Sequence, residues 1–244
     1  MKLKTVRVRR SRPSALALAL ALMLTMSCVY LLSLSIRPEK KADAAGVQIT
    51  GRAEVRMEPL EAAFLVESRT DNPLEARVLA ARCAEAGGAG LVLTDEASYA
   101  VIREAVSAES PKEGTLQRSS TGLTLKLEGT AGEISAVSDM IDFMRSQASE
   151  TGGLATAVEN GETDIQSVCT LLSVYRSRAV RAIENLSSLS ETNPAIARLT
   201  ASARANLSRL ESALDQPDTG KIKLIHAAAC AEWISLSQDL AAGV

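Results

Sequence analysis

The chain has 244 residues, of which 46% are hydrophobic and only 2% aromatic, and this composition allows a packed core and favours helix packing. Six of the 27 basic residues and none of the 29 acidic residues lie in residues 1–36, which leaves a net charge of −8 for the rest of the chain. This acidic balance argues against nucleic-acid binding, which needs a basic face for the phosphates.

The N-terminus is predicted to hold a membrane anchor. Residues 15–36 carry no charge, and about 20 such residues form a helix long enough to cross a bilayer. Because six basic residues precede this stretch, we expect a cytoplasmic tail (1–13), a transmembrane helix (14–36) and an extracytoplasmic remainder. A cleaved signal peptide is disfavoured because its apolar core would be shorter. A lipoprotein signal ending at Cys28 is disfavoured because the apolar run continues past that cysteine.

Beyond the anchor, residues 37–58 are predicted to be a polar linker, with a short extended piece at 47–49, and residues 59–130 a small α/β domain. Short apolar or alternating runs predict strands over 62–66, 90–94, 99–103 and 123–128. Asn72-Pro73 predicts the start of a helix over 73–86, and Gly87-Gly88 its end. A capping pattern at Ser110 predicts a further short helix.

Residues 131–244 are predicted to form helices only. Apolar residues recur every three or four positions in four segments, separated by turn signals such as Asn193-Pro194 and the stretch Gln216 to Gly220. Since each helix would bury one stripe, an antiparallel helical bundle is the simplest packing. The predicted fold class is therefore α+β: a transmembrane helix, a small α/β domain and a C-terminal bundle.

The predicted β-α-β-β-α-β order beyond a single anchor resembles the SPOR (sporulation-related) domain family. The similar segments are Phe64 to Ser68, the helix Pro73 to Gly87, and the strands Gly90 to Leu93 and Tyr99 to Ile102. The family's Gln-x-Gly-x-Phe continuation of the first strand is replaced here by Glu67-Ser68-Arg69. The resemblance implies peptidoglycan binding at the cell envelope, in division or sporulation.

If the sheet binds a glycan, as the resemblance implies, the side chains to test are Phe64, Val66, Tyr99 and Val101. The alternative is a protein–protein interaction module that acts through the C-terminal helices and binds no glycan. The partners expected are thus the membrane, peptidoglycan or another envelope protein, and no nucleic acid.

No catalytic, cofactor or metal motif is recognised, so we expect a protein that is not an enzyme and needs no cofactor. His226, which is the chain's single histidine, adjoins an apolar stripe and is predicted to be structural. The acidic cluster Glu159, Glu162 and Asp164 is predicted to favour a helix start rather than to act on a glycosidic bond. The cysteines beyond the anchor are predicted to be buried thiols, although a Cys169–Cys230 disulfide is conceivable.

Overall fold

The computed structural model describes residues 50–106, 113–187 and 193–242, and these ranges pack with one another. The fold is mixed α+β, as predicted. In chain order the elements are β1 (Thr50–Met57), β2 (Glu61–Thr70), α1 (Pro73–Glu85), β3 (Leu91–Asp95), β4 (Ser98–Val106), β5 (Thr115–Ser119), β6 (Leu123–Thr130), α2 (Ala131–Glu150), α3 (Leu154–Glu159), α4 (Ile165–Ser187), α5 (Pro194–Asp215) and α6 (Thr219–Ala241).

The predicted transmembrane segment 14–36 lies outside the described residues. Within the described ranges, no helix is both long and apolar enough to cross a membrane.

Helix starts follow the local capping signals closely. The Asn72 side chain accepts hydrogen bonds from the backbone N–H groups of Leu74 and Glu75 at 2.9 and 3.4 Å, and Pro73 occupies the first turn. Asn193 caps α5 in the same way. At α2, Thr130 and Glu133 form a reciprocal capping box. Each cap satisfies backbone donors that have no partner inside the helix, so these starts are encoded locally.

Strands β2 to β5 form one antiparallel sheet in the spatial order β3-β4-β2-β5. Two register shifts interrupt the β2–β4 ladder near Val66, where bulges increase the local twist. Arg118 on the edge strand β5 donates a hydrogen bond to the carbonyl of Thr94 on the opposite edge strand β3. The sheet is therefore curled, and its two edges approach each other on the concave side.

Two of the predicted strand assignments require correction. The fourth strand of this sheet is β5, for which the sequence predicted no strand, and it pairs with β2. The predicted strand at 123–128 exists as β6 but pairs with β1 in a separate two-stranded sheet. Residues 50–57 of the predicted linker are therefore a strand. The predicted helix at Ser110 lies largely outside the described residues, and residues 113–114 form a turn.

The two-stranded sheet of β1 and β6 also packs against the helical core. Val55, Leu123, Leu125 and Leu127 pack against the buried side chains of the helices. The predicted division at residue 130 thus separates elements that the structure packs together.

Helix α6 lies between the four-stranded sheet and the other helices, and it buries residues on two sides. Its predicted stripe, which includes Ile225 and Trp233, faces the other helices, while Ala227, Ala229, Cys230 and Ile234 pack with the sheet. The expectation that each helix buries one face is therefore wrong for α6. Small alanine side chains on the sheet side let the helix axis approach the concave surface closely.

Candidate functional site

The four side chains that the resemblance implied for glycan contact do not share one surface. Phe64 and Val66 pack on the α6 side of the sheet, in the cluster that contains Ile102. Val101 packs on the α1 side, against Ala80 and Cys83. Tyr99 is partly buried and, by strand alternation, is on the side of Val101. Phe64 and Val101 are both 0% exposed, so neither side chain is accessible to a glycan in this structure.

Both faces of the curled sheet are covered by helices of the same chain. Helix α1 covers the convex side over β3 and β4, with Ala76, Ala80 and Cys83 buried. Helix α6 fills the concave side, where the Gln238 side chain also donates a hydrogen bond to the Ser119 carbonyl at 3.2 Å. A flat sheet surface for stacking sugars is therefore replaced by packed helix–sheet interfaces.

A polar cluster lies where β4, α3 and α6 meet. The Lys223 ammonium lies 2.6 Å from a Glu159 carboxylate oxygen and 3.9 Å from a Glu104 carboxylate oxygen, and its side chain is only 10% exposed. His226 is one helical turn further along α6. A cavity of about 20 Å³ is lined by Glu104, Lys223 and His226 together with Thr151 and Thr156. That volume suits a single water molecule rather than an organic ligand.

His226 is held by the C-terminal end of α2. The Thr151 hydroxyl donates to the Gln147 carbonyl at 2.6 Å, and it lies 3.2 Å from His226 Nδ1. Because the single hydroxyl proton is already used, the Nδ1 atom of the neutral ring carries the proton and donates to Thr151 Oγ1. Burial lowers the pKa of His226, which favours this neutral ring at physiological pH. The predicted structural position of the histidine agrees with this geometry.

Cys230 lies beside the histidine but lacks the properties of a nucleophile. Its Sγ atom is 3.9 Å from both ring nitrogens of His226 and 3.7 Å from the Ala148 carbonyl oxygen. Burial raises the pKa of the thiol to about 12, so the sulfur keeps its proton at neutral pH. Nucleophilic attack uses the thiolate, and the pair therefore serves as packing between α2 and α6.

The remaining predicted features take structural positions. Cys83, Cys169 and Cys230 are buried free thiols, so the conceivable Cys169–Cys230 disulfide does not form. Asp164 accepts hydrogen bonds from the Ser167 backbone N–H and hydroxyl, both at 2.8 Å, as expected of an acid at a helix start. These bonds lower the pKa of Asp164. No group of three or more potential metal ligands occurs within the described part of the chain.

One surface feature was not predicted from the sequence. Leu74 and Val78 of α1 are 68% and 52% exposed, on the side of the helix opposite to its buried residues. The available signal was the presence of apolar residues on both sides of α1: Leu74, Val78 and Ala81 on one side, and Ala76, Ala80 and Cys83 on the other.

Searches against protein-family models, curated proteins and solved structures gave no significant match for this chain. Its function is therefore inferred from the residues and their geometry.

Proposed function

We propose that the chain is a single-pass, membrane-anchored protein of the bacterial cell envelope that acts outside the cytoplasm as a binding or scaffold module. The anchor is supported by the 22 uncharged residues from Ala15 to Ile36 and by the basic residues before them. The SPOR-like order of β2, α1, β3 and β4 is consistent with an envelope role. In this proposal, the helices α2 to α6 form the bundle predicted from the sequence.

We favour a protein partner over peptidoglycan, and the observation that carries this choice is the packing of α6 in the concave face of the sheet. Phe64 is completely buried by that packing. A glycan would have to displace a helix that is itself in the core, and exposing a side chain of this size costs about 1.5–3 kcal/mol. The outer surfaces of the C-terminal helices need no such rearrangement to meet a partner.

The first test addresses topology. A cysteine introduced at Gln166, which is exposed on α4, should react with a membrane-impermeant maleimide in spheroplasts. The three described native cysteines are buried, so they provide a low background, and Cys28 is replaced by serine. Labelling that requires membrane permeabilisation would refute the proposed orientation.

The second test separates the two partner classes. The purified full-length protein in detergent is sedimented with isolated peptidoglycan, beside a Tyr99→Ala variant and an Arg52→Ala control on β1. We expect no sedimentation of any form above a no-glycan blank. Sedimentation of the wild type that Tyr99→Ala abolishes and Arg52→Ala retains would restore the peptidoglycan hypothesis.

The third test locates the protein contact. A photo-crosslinking residue at Val174, which is 50% exposed on α4, should trap a discrete product in cells, whereas the same residue at Glu54 on β1 should not. Equal trapping at both positions, or at neither, would contradict a contact through the C-terminal helices.

A further inference from the structure

Helix α1 presents an apolar stripe to solvent. Leu74, Val78 and Ala81 follow one another at helical spacings of four and three, and all are exposed. Leu74 and Val78 are the two most exposed large hydrophobic side chains of the described residues, at 68% and 52%. The opposite side of α1 is fully used by the sheet, since Ala76, Ala80 and Cys83 are buried there. The stripe is therefore free to form a contact outside the chain's own core.

The charges along one flank of the stripe indicate what it contacts. Glu75 and Arg82 are seven residues apart, so they are on the same side of the helix, next to the apolar stripe. Both side chains are exposed. When a second copy of this helix lies antiparallel to the first, the acidic residue of each flank is opposite the basic residue of the other. The flank is therefore complementary to a second copy of itself.

We propose that α1 binds α1 of a second copy of this chain, in an antiparallel arrangement about a two-fold axis near residues 78 and 79. At a rise of 1.5 Å per residue, Glu75 and Arg82 each lie about 5 Å from that axis, in opposite directions. The two-fold operation therefore places Glu75 beside Arg82 of the other copy, and it does so twice. Val78 meets Val78 of the other copy near the axis, and Leu74 of each copy meets Ala81 of the other.

On the other flank, where Arg77 and Ala84 are exposed, the same two-fold axis leaves the two Arg77 residues only about 4.5 Å apart along the helix direction. Their repulsion opposes the contact and weakens it. Glu85 falls at the end of the stripe, where its aliphatic stem covers Leu74 of the second copy and its carboxylate reaches water.

The proposed contact is small, and its small area limits the affinity between the two copies. A helix of 13 residues is about 20 Å long, and such a pair buries less than the roughly 1,000 Å² expected of a stable dimer. Association should therefore be weak and reversible, and it depends on a high local concentration of chains. The proposal goes beyond the proposed function, because the contact depends on α1 alone and not on any partner of the C-terminal helices.

The test uses charge reversal in the full-length protein. Two copies with different affinity tags are co-expressed, solubilised in mild detergent, briefly cross-linked and captured through one tag. Glu75→Arg in both copies should lower co-capture about tenfold, because two attractions become repulsions. Arg82→Glu in both copies should do the same.

Mixing the two variants distinguishes a direct α1–α1 contact from a general loss of folding or of membrane insertion. A Glu75→Arg copy presents two arginines and an Arg82→Glu copy presents two glutamates, so the mixed pair regains both ion pairs and should recover wild-type co-capture. Glu54→Arg, a matched charge reversal at an exposed residue of β1, should leave co-capture unchanged, and thermal unfolding checks that each variant folds. Failure of the mixture to recover, or co-capture that no α1 variant reduces, would overturn the proposal and leave an anchor-mediated or unrelated contact.

Discussion

Gln147 offers the sharpest test of the core packing. Its side chain is 0% exposed in α2, and neither its amide oxygen nor its amide nitrogen has a hydrogen-bond partner in the structure. A buried amide without partners loses its bonds to water and gains none in exchange, at a cost of about 1–3 kcal/mol. We therefore expect Gln147→Met to increase the free energy of unfolding by about 1–3 kcal/mol, because methionine has a similar length and a high helix propensity.

The assay is thermal unfolding of residues 48–244, followed by circular dichroism. For a unit of this size each 1 kcal/mol shifts the midpoint by about 2–4 °C, so the expected increase is several degrees. Gln147→Ala is the matched control: it also removes the amide, but it leaves a cavity and should not give the same gain. A lower midpoint for Gln147→Met than for the wild type would show that the amide is satisfied, for instance by bound water, and would refute the reasoning.

The core, the glycine positions and the histidine give three further predictions. Phe64→Ala should destabilise the protein by about 3–5 kcal/mol in urea unfolding, and a loss below about 1 kcal/mol would contradict its burial beneath α6. Gly90→Ala should be clearly destabilising, because Gly90 has φ +62° and an added Cβ would lie 2.6 Å from the Ala80 carbonyl oxygen, whereas Gly51→Ala meets no atom within 4 Å and should be neutral. The pKa of His226 is lowered from 6.5 by burial, so the unfolded chain binds its proton first as the pH falls, and stability should decrease below about pH 6.5. His226→Gln should remove that part of the decrease, and an unchanged pH profile of stability would show that His226 does not cause it.

Local sequence determined where most helices begin. Asn72-Pro73, Asn193-Pro194 and the Thr130–Glu133 box satisfy backbone groups within one turn, so the helix starts need no information from distant residues. The inward face of α1 was likewise predictable from its spacing of small residues. The strands β2, β3 and β4 were located by short apolar runs, although the structure extends β2 and β4 beyond the predicted ends.

Strand pairing was decided by the tertiary structure. Residues 115–119 have no apolar alternation that marks a strand, and they form β5 because the edge of β2 provides backbone partners. Apolar and polar residues alternate strictly along β6. This alternation shows that one side of the strand is buried, but it does not show which part of the protein covers that side. The partner of β6 is β1, from the predicted linker, and the buried side faces the helices.

The same limit applies to the candidate site. Sequence alone identified Phe64 and Val101 as apolar strand residues, yet alternation cannot tell a solvent-facing sheet surface from one that is covered by a helix near the C-terminus. The covering helix α6 buries apolar residues on two sides, and only its position between the sheet and the other helices explains why. Periodicity is a local property, whereas the choice of which apolar surface packs on which depends on the three-dimensional path of the whole chain.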